Sequence, residues 1–145
     1  MRNRIGVVHG VNLGALGRRD PEHYGDLTLD ALERRIGGYA QELDLETRFF
    51  QTDHEGELVE HIHRLPEIAD AVLINAGAWT HYSWALRDAL EIAALPVVEV
   101  HLSDVNSREE WRRQSVFEGL ALGAISGQGA AGYRDGLMRL KQELS

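Results

Sequence analysis

The stretch Ala71–His101, AVLINAGAWTHYSWALRDALEIAALPVVEVH, carries three patterns in succession. AVLIN (71–75) is a continuous apolar run with no polar alternation, as expected of a strand covered on both faces. A polar, glycine-bearing loop follows, and then Ala85, Leu86, Ala89, Leu90 and Ala93 recur at helical spacing. PVVEV (96–100) is a second buried run. Two doubly covered strands joined by a helix predict a parallel βαβ unit, because parallel strands need a crossover of about this length.

Working outward, the same alternation fills the chain. IGVV (5–8), RFFQ (48–51) and GAIS (123–126) predict three further strands. Leu29, Leu32, Ile36, Tyr39, Ala40 and Leu43 follow helical spacing, as do Leu58, Val59, Ile62 and Leu65. Tyr133, Leu137, Leu140 and Leu144 mark an amphipathic terminal helix. Ser107-Arg-Glu-Glu110 has the form of a capping box and predicts one more helix, with Arg108 and Arg112 four apart on one face. The pattern implies an α/β protein, a flavodoxin-like three-layer sandwich with a five-stranded parallel sheet, in one domain over residues 1–145.

Composition narrows the chemistry. A net charge of −8 argues against a nucleic-acid surface, which phosphate backbones require to be basic. The absence of cysteine excludes disulfides, thiolate nucleophiles and cysteine metal sites. MRNRIGVVHG has too short an apolar run for a signal peptide, and no run approaches a membrane span, so a cytoplasmic location is expected. Lys141, near the C-terminus, is the one lysine, which leaves Schiff-base catalysis a poor candidate. His61 and His63 fall on different faces of a helix and no His-Glu-x-x-His spacing occurs, so no metal is expected. Gly10, Gly14 and Gly17 do not have dinucleotide-loop spacing, and no Ser or Thr occurs between Asn12 and Gly25 for a flavin phosphate.

The polar residues collect where strands end, the edge at which open α/β sheets bind ligands. His101 leaves the fourth strand two residues after Glu99, on the same side, and a carboxylate beside an imidazole suits a general acid. By itself the pair reads equally well as a surface histidine at a strand end. Asn75, His81 and Ser83 follow the third strand; Asn75 alone fits a turn cap better than a ligand. After the first strand, NLGALGRRDPEHYG (12–25) sets Arg19 near Tyr24, and a guanidinium favours the ionised form of a phenol. A loop bearing that pair is suited to close over a ligand as a catalytic lid.

With these residues in view, the chain resembles the type II 3-dehydroquinate dehydratases over nearly its whole length. HGVNLGALGRRDPEHYG (9–25) resembles that family's N-G-P-N-L-x-x-L-G-x-R-x-P-x-x-Y-G. QTDHEGELVEHIH (51–63), INAGAWTHYSWALRDAL (74–90), VEVHLSDVNSREEWRRQS (98–115) and GAISGQGAAGY (123–133) are similar to its other motifs, in order. The resemblance implies a lyase converting 3-dehydroquinate to 3-dehydroshikimate without a cofactor, in the shikimate pathway toward aromatic amino acids or in quinate catabolism. It implies that Tyr24, as phenolate, takes a proton beside the substrate ketone while Arg19 stabilises it. Asn12 would hold a water against the enolate oxygen, and His101, oriented by Glu99, would protonate the departing hydroxyl. Asn75, His81, Arg112 and the Leu102–Ser103 backbone would bind substrate. Asp88 would reach a neighbouring subunit's site in a homododecamer of trimers.

A physical reason for association accompanies this. Trp84, Leu86, Leu90 and Ile92 make their helix apolar around more of its circumference than one sheet needs, and Trp79 and Trp84 suit a subunit interface. The chain also departs from the family pattern. His9 stands for Asn, Val11 and Ala76 for Pro, Thr52-Asp53 for Ser-Asn and Asp104 for Asn. Two lost prolines free the backbone beside Asn12 and Asn75, and acids at 53 and 104 would disfavour an anionic substrate if they faced it. The alternatives are a non-catalytic ligand-binding module of this fold, a dehydratase of a related polyol acid, or a nucleotide-binding flavodoxin-like module.

Overall fold

The computed structural model describes residues 1–145. In chain order it contains β1 (Arg4–His9), a short α1 (Pro21–Tyr24), α2 (Leu29–Glu42), β2 (Glu46–Gln51), α3 (Glu55–Ile68) and β3 (Ala71–Asn75). Then come α4 (Trp84–Ala93), β4 (Val97–Val100), β5 (Gly123–Ile125) and α5 (Ala131–Leu144). The strands form one parallel sheet in the order β2-β1-β3-β4-β5. The chain thus reverses direction across the sheet between β1 and β3, and their outgoing loops open the crevice typical of such a switch point.

Side chains alternate across the sheet and divide the core in two. Val7, Leu73 and Val98 pack against Leu32 and Ile36 of α2 and Tyr133, Leu137 and Leu140 of α5. Their neighbours Val8, Val72, Ile74 and Val97 pack on the opposite face against Leu58, Ile62 and Leu65 of α3 and Leu86, Ala89 and Leu90 of α4. Both faces of the sheet are therefore covered, which is why the central strands read as unbroken apolar runs.

Local signals set the helix ends. Thr28 Oγ1 accepts from Ala31 N at 3.1 Å to cap α2, and Ser83 Oγ accepts from Leu86 N at 3.2 Å to cap α4. Such caps contribute about 1 kcal/mol each. At the opposite edge from the site, Arg4 and Asp70 tie the starts of β1 and β3 together, with Arg4 Nη2 3.0 Å from Asp70 Oδ1.

Two expectations are corrected. The helix opened by Ser107 does not form: residues 105–107 and 110–113 are separate 3-10 turns. Ser107 Oγ donates back to Asp104 O at 2.9 Å instead of capping forward. Trp79 is buried within its own chain among the α3–α4 core residues, so it presents no interface. Trp84 and Ile92 are 58% and 70% exposed, while Leu86 and Leu90 on the same helix point into the core.

Candidate active site

The floor of the crevice is main chain. Gly10 N donates to Asn75 O at 2.7 Å, and a Cβ on Gly10 would lie 2.7 Å from Ala76 Cα. Gly77, at φ 63°, makes the reciprocal approach, with no room for a Cβ beside Val11 O. Glycine is required at both positions, and the contact brings the β1 and β3 loops together. Asn12 then turns left-handed at φ 69°, a conformation asparagine tolerates better than most residues.

Asn75 Oδ1 accepts from Gly77 N at 3.1 Å, which fixes the amide and points its N–H side away from that turn. Fully buried Tyr133 stands beside Asn75, and burial pushes its phenol pKa well up, so it stays protonated. Ala76 is buried, and the contact with Gly77 N holds the Asn75 side chain.

Arg19 and Tyr24 come from the segment after the β1 turn. Asp20 Oδ1 caps α1 by accepting from Glu22 N at 3.0 Å, with Pro21 at its first position. This turn brings Tyr24 back onto Arg19, whose Nη2 donates to Tyr24 Oη at 2.8 Å while its Cζ lies 3.8 Å from the ring centroid. A second guanidinium arrives from the segment after β4. Arg108 Nη1 donates to Tyr24 Oη at 2.9 Å and to Ser103 Oγ at 3.3 Å. Burial works to lower the Arg108 pKa, but the Tyr24 and Glu109 contacts outweigh it, and the net shift is upward. Sequence reasoning left Arg108 out of the site, although it occupies the arginine of the matching motif.

β4 delivers a carboxylate and an imidazole side by side. Glu99 and His101 are 4% and 7% exposed, and His101 Nε2 lies 2.5 Å from Glu99 Oε2. The other carboxylate oxygen accepts from Ser115 Oγ at 2.6 Å, and Ser115 Oγ accepts in turn from Phe117 N at 3.1 Å. Both carboxylate oxygens are engaged, which locks the imidazole and leaves Nδ1 for chemistry. Ser115 was also missed from sequence; it is the terminal serine of that motif.

His81 Nδ1 is 2.6 Å from Gln114 O, which can only accept, so Nδ1 carries the proton. Burial lowers the His81 pKa against the pull of that hydrogen bond, keeping the ring neutral near pH 7. Arg112 Nε donates to Glu109 Oε2 at 2.8 Å, and this bond is the main reason the Glu109 pKa falls to about 2. The carbonyls of Leu102 and Ser103 accept from Gly129 and Gly127, while their own N–H groups have no partner within the chain.

One cleft of about 80 Å³ is lined by Asn12, Arg19, Tyr24, Asn75, His81, His101, Leu102, Ser103 and Arg112 together. A larger cavity of about 370 Å³ opens on the far side of Glu99 and His101. Asp88 is exposed on α4 and does not line its own chain's cleft. Asp53 and Asp104 do not line it either: their carboxylates accept from Asn12 N at 2.8 Å and Asn106 N at 3.1 Å. His9 points to α2, with Nε2 3.1 Å from Glu33 Oε2. Asp20, Glu22 and His23 gather in the segment that carries Tyr24, with the His23 ring edge-on to Tyr24, and none of the three lines the cleft. No helix is long and apolar enough to cross a membrane.

The arrangement offers a cation-flanked phenol and a carboxylate-held imidazole across one cleft, an apparatus for moving two protons. The family model for dehydroquinase class II matches residues 3–141. The chain is 48% identical over 143 residues to a 3-dehydroquinate dehydratase of Pelobacter propionicus, covering 98% of this chain and 96% of that one. It is 51% identical over 136 residues to the enzyme of the same name from Syntrophotalea carbinolica, covering 93% and 92%. The crystal structure of a type II dehydroquinase from Propionibacterium acnes superposes with a TM-score of 0.90 at 41% identity, covering 98% of each chain.

Proposed function

The chain belongs to the class II dehydroquinase family, a lyase family that removes water from 3-dehydroquinate, and on that premise we propose which residues carry the reaction. Tyr24, as phenolate, takes the proton from the carbon beside the ketone. The electron pair moves to the ketone oxygen as an enolate, and Asn12 holds a water against that oxygen. As the enolate collapses, the carbon–oxygen bond to the β-hydroxyl breaks. His101 gives its proton to the departing oxygen, which leaves as water. The new double bond makes 3-dehydroshikimate, and the proton now on Tyr24 passes through water to His101, which resets both groups.

The observation that carries this reading is the single Tyr24 oxygen held by two guanidinium donors, at 2.8 and 2.9 Å, across the cleft from the His101–Glu99 pair. Two guanidinium groups converge on that one oxygen and can offset negative charge that forms there during the reaction. Glu99, fixed by Ser115, holds the imidazole in place. Substrate hydroxyls meet Asn75 and His81. The substrate carboxylate meets the Leu102 and Ser103 N–H groups, with the charge of Arg112 nearby.

A homododecamer of trimers extends the proposal: Trp84, Ile92 and Asp88 lie exposed on α4, and Asp88 of one copy completes a neighbour's site. Residues 1–145 act as one catalytic domain, in the cytoplasm. The test is Tyr24→Phe, which keeps the ring and deletes the base. Absorbance of the conjugated product should vanish, and so should exchange of the substrate's α-proton with deuterated solvent. Exchange at the wild-type rate would mean that another group is the base.

A further inference from the structure

The Asp53 carboxylate serves neither the cleft nor an ion pair. We propose that Asp53, braced by Gln51, is a positioning residue for the reaction: it holds the left-handed turn that aims the Asn12 side chain. This rests on the role assigned to Asn12 above.

Asp53 Oδ1 accepts from two donors, Asn12 N at 2.8 Å and Gln51 Nε2 at 3.2 Å. Gln51 Nε2 also donates to Gly10 O at 3.2 Å, so one amide bridges the turn's entry and the carboxylate that holds its apex. Gln51 is itself confined, because a Cβ on Gly14 would lie 3.1 Å from its Oε1. The support behind Asp53 is equally fixed. Thr52 N donates to His9 O at 3.3 Å, and Thr52 Oγ1 donates to Glu57 Oε1 at 2.9 Å and accepts from His54 N at 3.0 Å. The β2–α3 loop is thereby tied to β1 on one side and to the first turn of α3 on the other.

The turn needs such a strut. A residue with a side chain at φ 69° is held there only by its surroundings, and valine at 11 lacks the ring that would fix the preceding φ. Within the turn, Leu13 N donates to Gly10 O at 3.2 Å and Ala15 N to Asn12 O at 3.1 Å, but neither bond engages the Asn12 N–H. Asp53 alone fixes that group. Since the Asn12 amide meets charge that develops only as the enolate forms, misplacing it should slow turnover more than it weakens substrate binding.

The experiment is a double-mutant cycle on the full chain, read as kcat and KM with 3-dehydroquinate. Asp53 is exposed, so its replacement leaves the core intact. Asp53→Ala should lower kcat about tenfold with KM held within about twofold. Asp53→Asn keeps an oxygen that accepts the same N–H and should stay within about threefold of wild type. Asn12→Gly accepts the left-handed turn but deletes the amide, and adding Asp53→Ala to it should cause no further loss. An Asp53→Ala enzyme with full kcat, while Asn12→Gly is impaired, overturns the proposal. So does equal loss from Asp53→Ala in both backgrounds, or an Asp53→Asn enzyme as slow as Asp53→Ala. Normal turnover by Asn12→Gly instead removes the role of Asn12, and the strut's role falls with it.

Discussion

Replacing Arg108 by methionine keeps an unbranched stem and deletes the guanidinium, so it isolates one of the two cations on Tyr24. A unit charge about 4 Å from another contributes about 1 kcal/mol in water and about 4 kcal/mol at an effective dielectric near 20. The Arg108 side chain is 7% exposed and Tyr24 is half-buried, so the contact lies between those limits. A hydrogen bond to a charged group contributes about 1.5–3 kcal/mol, inside the same bracket, and predicts a loss in kcat of about 10–150-fold. Arg19 still donates at 2.8 Å, which keeps the loss from being total. Arg108→Lys should fall between wild type and methionine, since an ammonium keeps the charge but not the planar group whose Nη1 holds Tyr24 and Ser103 while its Nε meets Glu109. Initial rates are followed by product absorbance, with unfolding midpoints compared to show that the fold is kept. An Arg108→Met enzyme within about twofold of wild-type kcat, or one altered in KM alone, would refute the view that this arginine stabilises the base.

Three further outcomes follow from the geometry. His101→Ala should fold normally yet lose about 10²–10⁴-fold in rate, and near-normal turnover would remove it as the acid. Asp88→Asn and Tyr24→Phe subunits, each impaired alone, should regain activity when dissociated and reassembled together; no gain would sink the shared site. Asp70 should govern acid stability: its hydrogen bond with Arg4 holds the carboxyl pKa below the usual range, with the Arg4 charge adding to this. A depressed folded value means stabilisation present above the ordinary aspartate range and lost as pH falls through the folded one. The gap in melting temperature between wild type and Asp70→Asn should therefore close in strong acid, and a gap independent of pH would contradict it.

The sheet was legible because its central strands are covered on both faces, so burial wrote itself as unbroken runs at AVLIN and PVVEV. The segment from Val105 to Arg113 was not. Its Ser-x-x-Glu spacing copies a helix start, but a helix there would have no apolar stripe to bury, and Trp111 is left largely in solvent. Arg112 turns back to Glu109, while Arg108 reaches Tyr24, far away in sequence. That contact joins residues 84 apart, which local pattern cannot encode. Ser115 was hidden for the same reason, since its partner Glu99 lies across a loop. The lost proline at 11 and the acid at 53 were visible as departures, but the hydrogen bond between Asp53 and Asn12 exists only in three dimensions.

The glycine contact under the cleft has a bearing on redesign. Where Gly10 meets Ala76 and Gly77 meets Val11, main chain rests on main chain, and neither glycine has room for a side chain. Mutagenesis cannot deepen the cleft from below without separating two strands of the sheet. Substrate scope is adjustable only from the sides and roof, through the Arg19–Tyr24 loop and the Arg108–Arg112 turn. A library meant to admit a bulkier hydroxy acid belongs on those two segments, with the glycine floor left untouched.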